Sequence, residues 1–427
     1  MSGRGGALSL AVHDREFLAL AGTAFARSQA YSTVLIALAL YADLFGTTGT
    51  VEGLFGTAFA LVQLVIVLPL GRAVDVGNAK RYLLAGLGVN VLVFVGFVFV
   101  QNPAHVILVR MVQGVGASLL WVVGASVVGE ISPEDERGRW LGSYNQVGAF
   151  SSLAGDAIGG TLLYVYGFTL TYAVVAAVTV VAAVLVWGYL RENPGGRKDP
   201  EAASGRETLR ALLDRPMVRA LVTFRMAFSV GKMAVIIFLP IYARTEFGVT
   251  ALTIGAVLAG GKAAKALSQG YTGELTDRVD RTGLFVVVGA IGYALGTAAI
   301  PLAGTVRGFP PLDVPVVGAV AAPVAVLFGA YAVLGVADSV RLPASMTLFV
   351  SEGERFDSVA SSMSLRSISW KVGQVVGPFG VGVVKDTVSV AAGFWVASAA
   401  IVVATGAFWV AYARMDGTAT PSTAGAD

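Results

Sequence analysis

Cysteine is absent from this 427-residue chain, and histidine occurs only twice. Without thiols there are no disulfides, thiolate metal sites or Cys nucleophile, and two histidines leave little scope for a metal centre. Charge is also scarce, with Asp, Glu, Lys and Arg making up 13% of the residues. The net charge is +3 and its basic residues are spread between loops and helices, so no nucleic-acid partner is expected. No phosphate-binding Gly loop, nucleophile triad or metal cluster can be read, which argues against an enzyme and against a cofactor. A cleaved leader is not expected either. Residues 1–16 are polar, and the apolar run after them continues too long for a signal sequence.

What the chain has instead is apolar bulk: 56% hydrophobic residues and a mean hydropathy of +0.74. Such a composition excludes a soluble globular domain. A hydrocarbon layer of roughly 30 Å needs about 20 mostly apolar residues per helix. Runs of that length fall near 17–43, 51–70, 82–102, 104–130, 140–163, 170–190, 217–243, 250–272, 283–303, 323–350, 358–384 and 391–413. The expected fold class is an all-α membrane protein of twelve transmembrane helices, because open backbone groups are not tolerated in lipid. Segments on the side of the N-terminus hold eighteen Lys and Arg, against Arg244, Arg307 and Lys385 on the other. That asymmetry places both termini in the cytoplasm.

The pattern repeats. Gly71-Arg-Ala-Val-Asp75-Val-Gly-Asn78-Ala-Lys80-Arg81 returns as Gly273-Glu-Leu-Thr-Asp277-Arg278-Val-Asp280-Arg281, and both copies read as short polar loops between apolar runs. Val112–Ser118 is echoed by Val333–Ser339, and Gly155-Asp156-Ala-Ile-Gly159 by Gly377-Pro378-Phe-Gly380. Landmarks in one order at near-constant separation indicate two pseudo-symmetric six-helix bundles, 1–190 and 217–414. The polar segment 191–216 reads as a cytoplasmic linker, with a short amphipathic helix in its ETLRALLDR tail, and 415–427 as a disordered tail. Parallel repeats of this size are a transporter design.

These residues resemble the major facilitator superfamily over essentially the whole chain. Gly71, Asp75, Lys80 and Arg81 match its loop signature G-x-L-A-D-R-x-G-R-[KR], with Asn78 in the second Gly place as the usual substitute in a left-handed turn. The second copy matches at Gly273, Leu275, Asp277, Arg278 and Arg281, with Asp280 in the Gly place. In that family the motif holds helix ends together, so Gly71, Asp75, Lys80, Arg81, Gly273, Asp277 and Arg278 are expected gating residues. Arg110-Met-Val-Gln113-Gly114-Val-Gly116 resembles R-x-x-Q-G-x-G, whose Arg has a part in proton coupling in exporters. The bland alternative is an Arg reaching the outer interface. Gly155, Gly159 and Gly160 partly fit the drug/proton antiporter signature G-x-x-x-G-P-x-x-G-G, but Ser151 replaces its first Gly and Asp156 its Pro. Asp156 then reads either as a proton carrier or as the partner of a buried Arg.

Within the spans lie nine bases, Arg27, Arg110, Arg225, Lys232, Lys262, Lys265, Arg341, Arg366 and Lys371. Only Asp156 and Asp338 are comparably deep acids, which leaves a surplus of seven positive charges. Asp338 and Arg341, three apart, can pair within one helix, and Arg225 is near enough to a helix end to snorkel. A surplus of this kind must face water or an anion. The expected substrate-binding set is Arg27, Gln29, Tyr31, Lys232, Lys262, Lys265, Arg366 and Lys371, with Asp156, Arg110 and Asp338 coupling protons. The resulting reading is a monomeric, proton-coupled secondary transporter of the cell's plasma membrane, working by alternating access on a small organic anion or anionic amphiphile. Its alternatives are a multidrug/proton efflux antiporter, a flippase of an anionic lipid-linked substrate and, more remotely, a non-transporting receptor of the same fold.

Overall fold

A computed structural model describes residues 7–133, 135–194, 206–279, 281–314, 318–356 and 359–416. The chain is helical almost throughout: α1 (Ala7–His13), α2 (Arg15–Phe45), α3 (Gly49–Val76), α4 (Ala79–Val98), α5 (Pro103–Ile131), α6 (Arg137–Tyr189), α7 (Arg206–Leu213), α8 (Pro216–Phe247), α9 (Ala251–Arg278), α10 (Thr282–Ala299) and α11 (Leu302–Thr305). A two-stranded hairpin, β1 (Leu312–Val314) and β2 (Gly318–Val320), precedes α12 (Ala322–Glu354), α13 (Val359–Thr387) and α14 (Val390–Asp416). Among the described residues nine helices are long and apolar enough to cross a bilayer. At about 1.5 Å per residue α6 reaches some 80 Å, enough for two passes. It breaks at Gly167, whose φ of 69° and ψ of −166° suit only a residue without a side chain. With α9 and α13, more polar because of Lys262, Lys265, Arg366 and Lys371, the expected twelve passes are complete. Large apolar side chains such as Val65, Leu92, Val181 and Val403 stay exposed, as lipid-facing positions do.

Helix starts follow local chemistry. Asp14 Oδ1 accepts the Phe17 N–H at 2.8 Å to cap α2, and Asn102 caps α5 through the His105 N–H at 3.0 Å. Several expected boundaries move. The first loop motif is mostly helix, since α3 runs to Val76 and only Gly77 and Asn78 interrupt it before α4. The second copy is the last turn of α9 as far as Arg278. Asn78 is not a left-handed turn residue: its φ of −95° is extended, and its side chain caps α4 through the Lys80 N–H at 3.0 Å. The Gly place therefore holds Asn as a helix cap. α7 forms where the amphipathic segment is expected, with Leu212 buried beside Val218 and Leu365. The expected tail at 415–427 lies outside the described residues beyond Asp416, which still belongs to α14.

Two compact units result: Met1–Ala203 with Ile236–Gly260 and Pro378–Thr387, and Ser204–Val235 with Gly261–Gly377 and Val388–Asp427. In the first unit α2 packs along α6 over a core that includes Phe17, Leu20, Leu83, Leu120, Tyr144 and Val186. The antiporter-like glycines serve that packing. A Cβ on Gly155 would come within 2.8 Å of the Gln29 backbone, and one on Gly160 within 2.7 Å of the Ala251 carbonyl and 3.0 Å of the Gly255 Cα. Backbone atoms cannot yield as a flexible side chain can. Gly160→Val is therefore expected to cost about 1–3 kcal/mol through overpacking, seen as an earlier thermal transition of the purified protein. An unchanged transition would show that the α6–α9 crossing is loose.

Candidate functional site

The second unit concentrates charge on one carboxylate. Asp338, on α12 and 2% exposed, receives Lys232 of α8 at 2.7 Å and Lys265 of α9 at 2.6 Å on Oδ2. Its own helix adds Arg341, one turn on, at 2.7 Å to Oδ1. Three bases thus meet one acid; Asp338 and Arg341 are fully enclosed, while Lys232 and Lys265 are partly exposed. Aromatic rings complete the surroundings. The Arg341 guanidinium lies 3.9 Å from the Phe228 ring centre, and Lys232 lies 5.6 and 5.7 Å from those of Tyr293 and Trp370. Arg225 does not snorkel. It is buried, donates Nε to the Arg366 carbonyl at 2.8 Å, and stacks 4.9 Å from Trp370.

Of the expected binding residues, the structure thus gathers Lys232 and Lys265 on Asp338 and sets Arg366 beside Arg225. Lys262, one turn before Lys265 on α9, and Lys371 on α13 are half-buried. The remaining expected binding and coupling groups belong to the first unit.

There, Arg110 is fully buried, which removes the interfacial reading of that residue. It donates Nε to the Phe55 carbonyl of α3 at 2.8 Å and Nη1 to Gln113 Oε1 at 2.6 Å, and lies 4.3 Å from the Phe59 ring centre. Gly114 makes that reach possible, because a Cβ there would sit 2.6 Å from the Phe59 carbonyl. The R-x-x-Q-G pattern is therefore one structural device, a guanidinium clamped across two helices that touch at a glycine. Arg27 sits over Trp121 at 5.1 Å and Tyr144 at 5.7 Å, with Nη1 3.4 Å from both the Leu120 carbonyl and the Tyr144 hydroxyl. Tyr31, Phe59 and Trp121 form one aromatic group, with ring centres 5.5 to 6.4 Å apart. Gln29 is buried and donates to Thr33 at 3.3 Å. Asp156 is fully buried on α6, with its backbone carbonyl against Gly255 of α9. A cavity of about 1080 Å³ in this unit, between Leu18 and Phe25 of α2 and Phe150 and Val181 of α6, is apolar and away from these charges.

Of the expected gating residues, Gly71 lies in α3, and the side chains of Asp75, Asp277 and Arg278 lie outside the described residues. Gly273 lies in α9. Lys80 is buried and pairs with Glu192 at 3.0 Å, while Asn78 Nδ2 donates to the same carboxylate at 3.1 Å. Those bonds hold the Glu192 carboxyl below the usual carboxylate range, Lys80 contributing most. Arg81 is exposed.

The opposite end of the first unit carries ties that sequence reasoning did not find. Lys385 of α13 reaches both Glu52 oxygens, at 2.6 and 2.8 Å, and Arg244 of α8 reaches Asp43 of α2 at 2.8 Å. Thr48 makes no side-chain cap on α3. Asp386 does so from 336 and 337 positions away, accepting the Gly49 N–H at 2.6 Å, the Thr50 N–H at 2.8 Å and the Thr50 hydroxyl at 2.6 Å. The helices cross closely here as well, since a Cβ on Gly56 would meet Ile237 of α8 at 2.8 Å. Asp386→Ala is expected to weaken this closure by about 1–2 kcal/mol, the scale of a lost helix cap. Faster labelling of a cysteine introduced at Thr48 would register it; labelling at the unaltered rate would mean that the cap does not hold this end shut. The only available signals were Asp43 and Glu52 near helix ends.

Comparison with known proteins agrees with this architecture. The family model of the Major Facilitator Superfamily matches residues 20–309. The multidrug resistance protein MdtG of Dickeya zeae is 25% identical over 364 residues, 83% of this chain and 84% of that protein. An uncharacterized MFS-type transporter of Methanocaldococcus jannaschii is 24% identical over 271 residues, 61% of this chain and 67% of its own length. In fold, the chain is similar to a bacterial homologue of the human lysosomal transporter Spinster, solved inward-facing and unoccupied. That alignment covers 99% of this chain and all of the other, with a TM-score of 0.75 at 16% identity. The twelve passes, the clamped arginine of α5 and the family match over 20–309 agree: this chain is a multi-pass membrane protein and secondary transporter belonging to the Major Facilitator Superfamily, not an enzyme.

Proposed function

We propose that the protein moves a small organic anion by alternating access, coupled to protons, with Lys232, Lys265 and Arg341 holding the anionic group and Asp338 carrying the proton. The observation behind this reading is the Asp338 site, where three bases within 2.7 Å share one carboxylate. A net positive charge so enclosed attracts anions and repels cations. When Asp338 takes up a proton its claim on the bases lapses, and a substrate anion can take its place. Arg27, Gln29, Tyr31, Lys262, Arg366 and Lys371 belong to the proposed substrate path, with Arg110 and Asp156 as supports of the coupling. Gly71, Asp75, Lys80, Arg81, Gly273, Asp277 and Arg278 are the proposed gate, facing the cytoplasm of a plasma-membrane protein with both termini inside. The halves 1–190 and 217–414 are its moving parts.

The relative named for multidrug resistance supports a second reading, efflux of drugs in exchange for protons. Purified protein in vesicles separates the two. Under an imposed pH gradient, benzoate-class anions should move and a lipophilic cation should not. Flux of the cation alone would overturn the anion reading, and binding without any flux would make the protein a receptor.

A further inference from the structure

Three arginines of the second unit hold buried N–H groups that meet no protein acceptor among the described residues. Arg341, 1% exposed, gives Nη2 to Asp338 and keeps Nε and Nη1 unmatched. Arg225, 6% exposed, gives Nε to the Arg366 carbonyl and keeps Nη1. Arg366 keeps Nε. Buried donors of this kind are costly unless something accepts from them. The three share one neighbourhood, since Arg225 bonds the Arg366 carbonyl and shares Trp370 with Lys232, which meets Arg341 on Asp338. Phe228 covers a face of Arg341 and Trp370 a face of Arg225, which leaves the in-plane edges as their binding surfaces.

Charge and shape narrow the occupant. Counting Lys232 and Lys265, five positive charges stand in this cluster against the one carboxylate of Asp338. A monocarboxylate brings one charge and two oxygens, too little for both the surplus and the orphan donors. A phosphoryl group brings nearly two charges at neutral pH and three acceptor oxygens. The unmatched donors, held in the planes of three guanidiniums, can each aim at a different oxygen of such a group, which a flexible ammonium does less well. We propose that the substrate of this site carries a phosphate monoester or phosphonate group, held by Lys232, Lys265 and Arg341 and taken up further by the free donors of Arg225 and Arg366. This rests on the anion reading above and names its chemistry.

The test is a binding panel on the purified full-length protein, read by quenching of tryptophan fluorescence and by thermal shift. Phenyl phosphate, phenylphosphonate, benzenesulfonate and benzoate share one ring and differ in charge and oxygen count. Phenyl phosphate and phenylphosphonate should bind about tenfold or more tighter than the other two, the worth of one further charge-assisted hydrogen bond. Arg366→Lys keeps the charge and removes the fork. It should erase that preference, bringing the ratio of phenyl phosphate to benzoate affinity to within about threefold of unity. Benzoate or benzenesulfonate binding as well as phenyl phosphate would overturn the phosphoryl assignment and leave the anion reading standing. A protein that binds none of the four but binds a lipophilic cation would overturn both. The panel on the unaltered protein decides the matter even if the variant fails to fold.

Discussion

Asp338→Asn should abolish accumulation driven by a pH gradient and should destabilise the protein in an anion-dependent way. The carboxylate now answers three bases at 2.6 to 2.7 Å. Asparagine keeps the shape but offers one acceptor oxygen, and its NH₂ turns a donor toward donors. Removing one partner from a buried ion cluster strands the others, at about 3–5 kcal/mol. The loss has a particular signature. Benzoate or phenyl phosphate at saturating concentration should restore much of the lost thermal stability, because a bound anion supplies the missing negative charge. Transport should lose its dependence on the imposed gradient, while exchange of labelled for unlabelled anion continues. A variant that is destabilised yet gains nothing from an anion, and still concentrates solute against a pH gradient, would reduce Asp338 to a structural residue. Lys265→Ala separates the cases further. It removes one base of the three and should weaken anion binding without abolishing the pH response.

The second large effect is expected at Arg110, through geometry more than charge. Its guanidinium bonds the Phe55 carbonyl at 2.8 Å and Gln113 at 2.6 Å while packing on Phe59, with no exposure. Arg110→Lys keeps the charge, but a single ammonium cannot serve two divergent acceptors and lie flat on a ring. One hydrogen bond to a charged group is worth about 1.5–3 kcal/mol and its buried acceptor is left bare, so a loss of about 2–4 kcal/mol is expected. Flux should fall below detection, because the α3–α5 contact that the clamp fixes would slacken. Gly114→Ala offers an independent check. Its methyl would press on the Phe59 carbonyl from 2.6 Å, prising apart the same two helices without touching the charge. If Arg110→Lys abolished flux while Gly114→Ala melted and transported normally, the charge, and not the clamp, would be what matters.

How far the sequence reached can be judged residue by residue. The twelve passes and the family were legible because apolar length and a twice-repeated motif survive without any knowledge of packing. The ends of the helices were not. The polar motif after residue 70 stopped the apolar count, yet α3 continues to Val76, since hydrogen bonding carries a helix past its apolar stretch. The run Leu312–Val320 is apolar enough to blur the start of the tenth pass, yet Leu312–Val314 and Gly318–Val320 pair as antiparallel strands, with Gly318 at a positive φ of 86°. Within the candidate site, the residue types were legible and most of the pairings were not. Only Asp338–Arg341, three apart on one helix, follows from spacing alone. Lys265 and Lys232 stand 73 and 106 positions from Asp338, so their meeting depends on how three helices are rotated about their axes. The ties of Asp386 and Lys385 to the start of α3 span more than 330 positions and leave no periodic trace.

The Asp386 cap also bears on how the chain is made. The amino end of α3 leaves the ribosome early, but the group that satisfies its Gly49 and Thr50 amides is encoded 337 and 336 positions later. Until α13 has been threaded into the bilayer, the nascent first unit must keep that helix start wet or borrow another acceptor. Completion of this unit is thereby tied to synthesis of its last segment, and chains stopped before Pro378 should be cut by protease at the α2–α3 turn faster than the full-length protein.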